Sequence, residues 1–269
     1  MRAELQILLD VASYRLRRLE MANLAGALAL ALVLQLSAFE LGVRLAFGLT
    51  LNLLVYLNND FCDGEVDLGA SGRERGKTEF LLAHRGAAVR VQLLLLAVLA
   101  VWALVHGGGL WLPLVLGGGV CWAYSAVLKR RPFVDVAAMM AWGVAMPLVG
   151  VPGDRIVTVL PLLVLLGLFS GVFECVQVLR DVQSDRAREI RTTAVVLGAP
   201  ATAGLARVLA AAAAVFALTA FGPLVALPAI VAVFTPMRDR PIPAVWNRLR
   251  LLSGITFLCA CYVVWRAVT

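Results

Sequence analysis

Asn59-Asp60-Phe61-Cys62-Asp63-Gly64-Glu65-Val66-Asp67 places four carboxylates at the end of a long apolar segment, in a chain with only 17 acidic residues among 269. Read as a helix, the stretch puts Asp60, Asp63 and Asp67 at i, i+3 and i+7, so their side chains share one face while Glu65 turns away as a solvated neighbour. Carboxylates so arranged repel one another unless a counter-ion intervenes, and a hard divalent cation meets that need. A helix end with chance acids is the plainer reading; the shared face in so acid-poor a sequence argues against it.

Working outward, the chain is 61% hydrophobic and 15% charged with a mean hydropathy of +0.89. That is too apolar for a soluble domain and predicts an all-α, polytopic integral membrane protein in contact with the lipid bilayer. The net charge of +7 would suggest nucleic acid in a soluble protein, but here the basic residues follow membrane topology, so no nucleic-acid partner is expected. Cys62, Cys121, Cys175, Cys259 and Cys261 lie in or beside apolar segments without a Cys-x-x-Cys pair and read as small packing residues. Residues 1–20 alternate charged and apolar positions and read as an amphipathic helix on the membrane surface rather than a cleaved signal.

Apolar runs occur at about 21–39, 41–60, 88–106, 109–128, 133–151, 156–178, 201–221, 222–237 and 250–268, against roughly 17–25 residues needed to cross a bilayer. These predict nine transmembrane helices in a single bundle forming one domain over 1–269, with a central cavity opening near the cytoplasmic side. The eighth run is short and crowded by Pro223, Pro228 and Pro236, which predicts a kink or tilt. Arginine and lysine concentrate at the N-terminus and after runs two, four, six and eight, with Arg44, Arg155, Arg207 and Arg266 as the exceptions. By the positive-inside rule those parts are cytoplasmic, the loops 61–87 and 179–200 carrying the site, and a bacterial inner membrane is the expected location. Gly107-Gly108-Gly109 reads as a tight external turn, and Gly117-Gly118-Gly119 as close helix packing.

A second acidic patch, Asp181-Val182-Gln183-Ser184-Asp185, falls at the same membrane face as the first. Glu174, Gln177, Asp181 and Asp185 form one stripe, and Asn52, Tyr56, Asp60, Asp63 and Asp67 another; both descend into the bilayer. An acid near mid-membrane is costly, roughly 2.5–3.5 kcal/mol on insertion scales, so Glu174 and Asn52 indicate an internal pocket. Two facing carboxylate clusters suit two or three Mg²⁺ ions whose shells are completed by a diphosphate. Arg73, Arg75, Lys77 and Lys129, with Arg130, Arg180 and Arg186, border the acids and could neutralise that anion. Tyr56, Phe61, Trp122, Tyr124, Trp142, Phe169 and Phe173 could line a dry space for a carbocation. Tyr124 fits either cation stabilisation or interfacial anchoring.

Asn59-Asp60-x-x-Asp63-x-x-x-Asp67 resembles the first signature of the UbiA superfamily of intramembrane prenyltransferases, and Asp181-x-x-x-Asp185 followed by Arg191-Thr192-Thr193 and Leu197-Gly198 resembles its second. The likeness extends over nearly the whole chain. It implies that Asp60, Asp63, Asp67, Asp181 and Asp185 hold Mg²⁺-diphosphate with Asn59 in support, and that Arg18 and Asn23 stand where members often carry an arginine and an asparagine that bind diphosphate or acceptor. The stretch 69–78 lacks the proline common there, Val178 replaces a frequent acid, and Tyr124 is one residue further from Lys129 than the usual Tyr-x-x-x-Lys.

The expected activity is Mg²⁺-dependent ionisation of an isoprenyl diphosphate and transfer of the prenyl group to a hydrophobic or aromatic acceptor, with Glu174 or a first-cluster carboxylate as the base. The alternative is an acceptor-free terpene cyclase of the same superfamily. A cation transporter is disfavoured because the acids bunch at one face and the halves show no internal repeat. Chain length, acceptor and oligomeric state leave no mark in the sequence.

Overall fold

The computed structural model describes residues 2–17, 22–68, 75–237 and 241–269, and among them every regular element is helical. Helix α1 (Arg2–Arg17) buries Ile7, Val11 and Tyr14 and leaves Leu5 and Leu9 exposed. Its buried face packs with Leu57, Leu81, Ala88 and Val91 on the neighbouring helices.

Helix α2 (Ala22–Val33) stops before the sequence's apolar run does, at a turn where Gln35 adopts a φ of 53°. Ser37 then caps α3 (Ala38–Asp67) by accepting the Glu40 N–H at 3.2 Å, the Ser-x-x-Glu start signal. This helix runs 30 residues, so the first acidic motif is its last two turns and not part of a loop, no proline interrupting it. After α4 (Arg75–Ala83) and α5 (Arg85–His106), Gly107, Gly108 and Gly109 all take positive φ (67°, 57° and 83°) and form the tight turn.

The fourth apolar run divides. Pro113, which has no N–H to give, begins a π-helical stretch to Gly118, followed by α6 (Gly119–Ala126). Gly117 lies against Met146 and Gly118 against Leu51, while nothing lies near Gly119, so packing accounts for two of the three. In the fifth run, Pro147 ends α7 (Val134–Ala145), and a 3-10 turn, Met146–Gly150, follows. A side chain at Gly150 would collide with the carbonyl of Ala27, which is how closely this turn approaches α2.

Helix α8 (Ile156–Ala187) runs 32 residues and carries the second motif on its own last turns. Then follow α9 (Thr193–Leu197), α10 (Ala199–Phe221), α11 (Pro223–Val233, with Pro228 inside) and α12 (Ile242–Val268). Among the described residues, five helical stretches have the length and apolarity to cross a membrane: Ala38–Glu65, Arg85–His106, Gly153–Ala187, Ala199–Phe221 and Ile242–Val268. Three shorter apolar stretches, Asn23–Val33, Val134–Gly150 and Pro223–Val233, accompany them. At 11 residues, α11 reaches about 16 Å, some half of a hydrocarbon core.

Helix α8 packs against α7, α10 and α12, and α12 packs against α2. One apolar core of α2, α8, α10, α11 and α12 includes Leu30, Leu162, Phe169, Ala213 and Phe257; a second, around α3 and α5, includes Phe47, Leu51, Leu99 and Met146. This is an integral membrane protein, and its two longest helices, α3 and α8, each carry one of the acidic motifs on their last turns.

Candidate active site

The C-terminal turns of α3 supply the first carboxylates. Asp60 is only 5% exposed and accepts from two cations, Arg15 Nη2 through Oδ1 and Lys77 Nζ through Oδ2, each at 2.5 Å. Those cations come from α1 and α4. Their charge is also spread over aromatic faces: the Arg15 guanidinium lies 4.4 Å from the Tyr56 ring and 5.2 Å from Tyr14, and Lys77 Nζ 4.1 Å from Tyr14. Asp63, one turn on and half-buried, accepts from Lys129 through Oδ1 and from Asn59 Nδ2 through Oδ2 at 3.0 Å. The side chain of Asp67 lies outside the described residues, as do Arg18 and Arg73 entirely.

Lys129 is the cation on Asp63 that also feels the second acidic cluster. It stands on a 3-10 turn, Leu128–Arg130, contacts Asp63, and is also within the electrostatic reach of Asp185 and Glu174. Burial, with Arg130 beside it, pushes its ammonium down to about 8, the acids pulling the other way. On α8, Arg180 forks onto Asp181 with both contacts at 2.8 Å, at the exposed rim. Asp185, half-buried, accepts from the Thr192 hydroxyl at 3.3 Å.

Below the acids, toward the bundle interior, Glu174 is 3% exposed and accepts the Tyr124 phenol at 2.6 Å. By helical rise it lies about 10 Å deeper along α8 than Asp181. A buried carboxylate held by a single phenolic donor keeps acceptor capacity for a further proton. Asn52, 2% exposed, donates to the Gly48 carbonyl at 2.8 Å, and among the described residues its Oδ1 has no hydrogen-bond partner. Gln177 is half-buried between Glu174 and Asp181, and Asn23 stands in the first turn of α2.

Some expected residues lie elsewhere. Arg75 is exposed and pairs with Glu79 on its own helix at 2.7 Å, because the i, i+4 spacing offers that acid first. Trp122 is 63% exposed and faces outward, and Phe173 packs against Trp246 in an apolar cluster. Two participants escaped the sequence reading. Arg15 shares the apolar stripe of α1 with Ile7, Val11 and Tyr14, and an arginine on such a stripe was the available signal. Asp135, fully buried in the first turn of α7, directly follows the basic corner; an acid opening an apolar helix there was the other.

Among the described residues, no three acidic, histidine or cysteine side chains converge into one chelating group. The donors are instead aspartate oxygens at two helix ends, with lysine and arginine interleaved. That set fits Mg²⁺, which is usually held by one or two carboxylates while phosphate oxygens and water fill its octahedron.

The model of the UbiA prenyltransferase family matches residues 21–239. No curated protein matches the chain by sequence. Among solved structures, one of digeranylgeranylglyceryl phosphate synthase is 16% identical and superposes with a TM-score of 0.75 over 99% of this chain and 100% of its own. A UbiA homologue from Archaeoglobus fulgidus, bound to DMAPP and Mg²⁺, is 14% identical with a TM-score of 0.72 over 96% of this chain and 98% of its own. The same homologue bound to GPP and Mg²⁺ gives 0.69 at 14% identity, over 97% and 99%. These likenesses establish a common fold over essentially the full length.

Proposed function

The chain belongs to the UbiA prenyltransferase family, and from that premise we propose that it is a Mg²⁺-dependent intramembrane prenyltransferase. It ionises an isoprenyl diphosphate and passes the prenyl group to a hydrophobic or aromatic acceptor, releasing diphosphate. The observation that carries this reading is Lys129, which contacts Asp63 of the first acidic cluster and lies in the field of Asp185 of the second and of Glu174, itself held by Tyr124. The Archaeoglobus homologue that holds GPP or DMAPP with Mg²⁺ on the same fold supports the choice of substrate class and ion.

Asp60, Asp63, Asp181 and Asp185, with Asp67 by its place in the motif, would hold two or three Mg²⁺ ions. When bound, these neutralise the diphosphate and ease its departure. Arg15, Lys77 and Lys129 bind the diphosphate oxygens, each already standing beside the carboxylate next to which that anion docks. Asn59 orients Asp63. Deeper in the bundle, the Tyr124 ring faces the allylic cation and Glu174 accepts the proton that an aromatic acceptor loses, the phenol holding the carboxylate in place until then. Asn52, whose Oδ1 has no hydrogen-bond partner among the described residues, and Gln177 hold polar atoms of substrate or acceptor.

The nine apolar segments build the membrane bundle, two of them completed by π and 3-10 turns, with α11 entering about half of the hydrocarbon core. The N-terminus and the acidic face lie in the cytoplasm, following the distribution of arginine and lysine. The test is incubation of the purified protein with geranyl, farnesyl and geranylgeranyl diphosphates and Mg²⁺, with and without a panel of phenolic, quinone-precursor and lipid-alcohol acceptors. Prenylated acceptor is the expected product. Cyclic hydrocarbons or alcohols formed without acceptor would instead identify a terpene cyclase and overturn the transferase reading.

A further inference from the structure

Asp135 has no place in the chemistry above, yet it is among the most enclosed charges of the molecule, at 0% exposure. Its carboxylate is fully engaged. Oδ2 accepts the Thr193 backbone N–H at 2.7 Å, and Oδ1 accepts both the Thr193 hydroxyl and the Val136 N–H, the latter at 2.9 Å. The Thr193 hydroxyl in turn accepts the N–H of Phe133 at 2.7 Å. Phe133 is a non-glycine residue at a φ of 66°, a conformation that persists only where surrounding contacts over-determine it. The first turn of α7 and the connection after α8 are therefore locked together by one side chain.

The neighbouring residue shows what the lock holds. Thr192, 4% exposed, donates its hydroxyl to Asp185 Oδ2 at 3.3 Å. Asp185 is also steadied from its own side by the turn in which the Ile190 N–H reaches its carbonyl at 2.9 Å. Hydrogen bonds thus tie Asp135 to Thr193, the peptide backbone carries the constraint to its neighbour Thr192, and the Thr192 hydroxyl passes it to a carboxylate of the second acidic cluster. On the same side, Asp135 lies six residues beyond Lys129, the cation that contacts the first cluster, so the segment that carries Lys129 and the segment that aims Asp185 share one anchor. If Asp135 only stapled two helices, apolar packing at a fully buried position would serve without the cost of desolvating a charge.

We propose that Asp135 is a positioning residue for the metal-diphosphate site, acting through Thr193 and Thr192 to fix the carboxylate of Asp185. The inference rests on the prenyltransferase reading, in which Asp185 is a metal ligand. Groups that orient a metal ligand without touching the metal typically contribute about 10- to 100-fold to metal affinity.

The experiment measures Mn²⁺ binding by electron paramagnetic resonance on the detergent-solubilised full chain, with geranyl thiolodiphosphate as a substrate analogue that resists ionisation. Melting temperature is recorded in parallel. Asp135→Asn, Thr193→Val and Thr192→Val are compared with Thr202→Val, at a buried threonine whose hydroxyl donates to the Gly198 carbonyl at the start of its own helix. The expected result is a dissociation constant for Mn²⁺ raised about tenfold or more by Asp135→Asn and several-fold by Thr192→Val. The Asp135→Asn/Thr192→Val double variant should bind Mn²⁺ no more weakly than Asp135→Asn alone, since both changes cut the same link, and Thr202→Val should lower the melting temperature without changing Mn²⁺ affinity. Thr192→Val leaves the buried lock intact, so it tests the link even where Asp135→Asn fails to fold. Unaltered Mn²⁺ affinity in Thr192→Val or in folded Asp135→Asn, with tight binding by the wild type, overturns the proposal and leaves the prenyltransferase reading standing. A wild type that binds no Mn²⁺ with the analogue overturns both.

Discussion

Helix α3 carries a carboxylate held by a buried arginine near each end, and the two ends are built for different purposes. At the far end Arg44, 1% exposed, donates to Glu40 at 2.5 Å and to the carbonyls of Val149 and Gly108 at 3.0 and 2.7 Å, while His106 meets Glu40 at 3.1 Å. Every partner there belongs to the protein, and two are backbone groups of fixed position. The network joins α3 to the Gly107–Gly109 turn and to the Met146–Gly150 turn, and it is closed. At the acidic end, 20 residues or about 30 Å away, Asp60 and Asp63 are held by Arg15, Lys77 and Lys129, all on separate segments and none on a neighbouring turn of the same helix. Lysine ammonium groups on flexible stems are easily redirected to another anion. The lesson is that buried charge alone does not mark a site; the number of exchangeable partners does.

That contrast can be broken at either end. Removing divalent ions with EDTA should abolish prenyl transfer, with recovery on adding Mg²⁺, and leave the far-end network unaffected as judged by unchanged protection of the 40–44 backbone amides from hydrogen exchange. Asp63→Ala should reduce turnover about 10²- to 10³-fold in a product-release assay while the protein still folds, the scale seen when one preorganised charge-stabilising group is lost. Arg44→Met should do the opposite: a loss of about 3–5 kcal/mol of stability, because Glu40 is left without its guanidinium, with turnover per folded molecule unchanged. Thermal unfolding of the detergent-solubilised variant reads the first quantity and an active-site-normalised assay the second. Arg15→Met should weaken diphosphate binding about tenfold without a comparable loss of stability; a large stability loss with unaltered binding would make Arg15 a second Arg44. Arg75→Ala, whose ion pair with Glu79 is exposed, should change neither quantity measurably.

Much of this was written locally. The hydropathy of the chain and the spacing of Asp60, Asp63 and Asp67, and of Asp181 and Asp185, are properties of single segments, and a helix fixes their shared face without reference to anything else. The same holds for the Gly107–Gly109 turn. Prolines at 113 and 147, although visible, acted more strongly than the apolar runs around them suggested, dividing two predicted spans. Residues 61–67 and 179–187 proved to be helix rather than loop, since polarity at a membrane surface resembles a loop yet contains no breaker.

The sequence by itself determined the membrane class, the places of the apolar segments and the two acidic motifs, because hydrophobic run length and helical period are set by neighbours along the chain. Only the tertiary structure decided which cation meets which acid: Arg15 and Lys77 on Asp60, Lys129 on Asp63, Arg75 on its own helix, and Asp135 on Thr193 across 58 residues. Any of several arginines and lysines could satisfy a carboxylate by charge alone. Which one does so depends on how α1, α4 and the Leu128–Arg130 corner pack against the ends of α3 and α8, and that packing is set by buried faces far apart in the sequence.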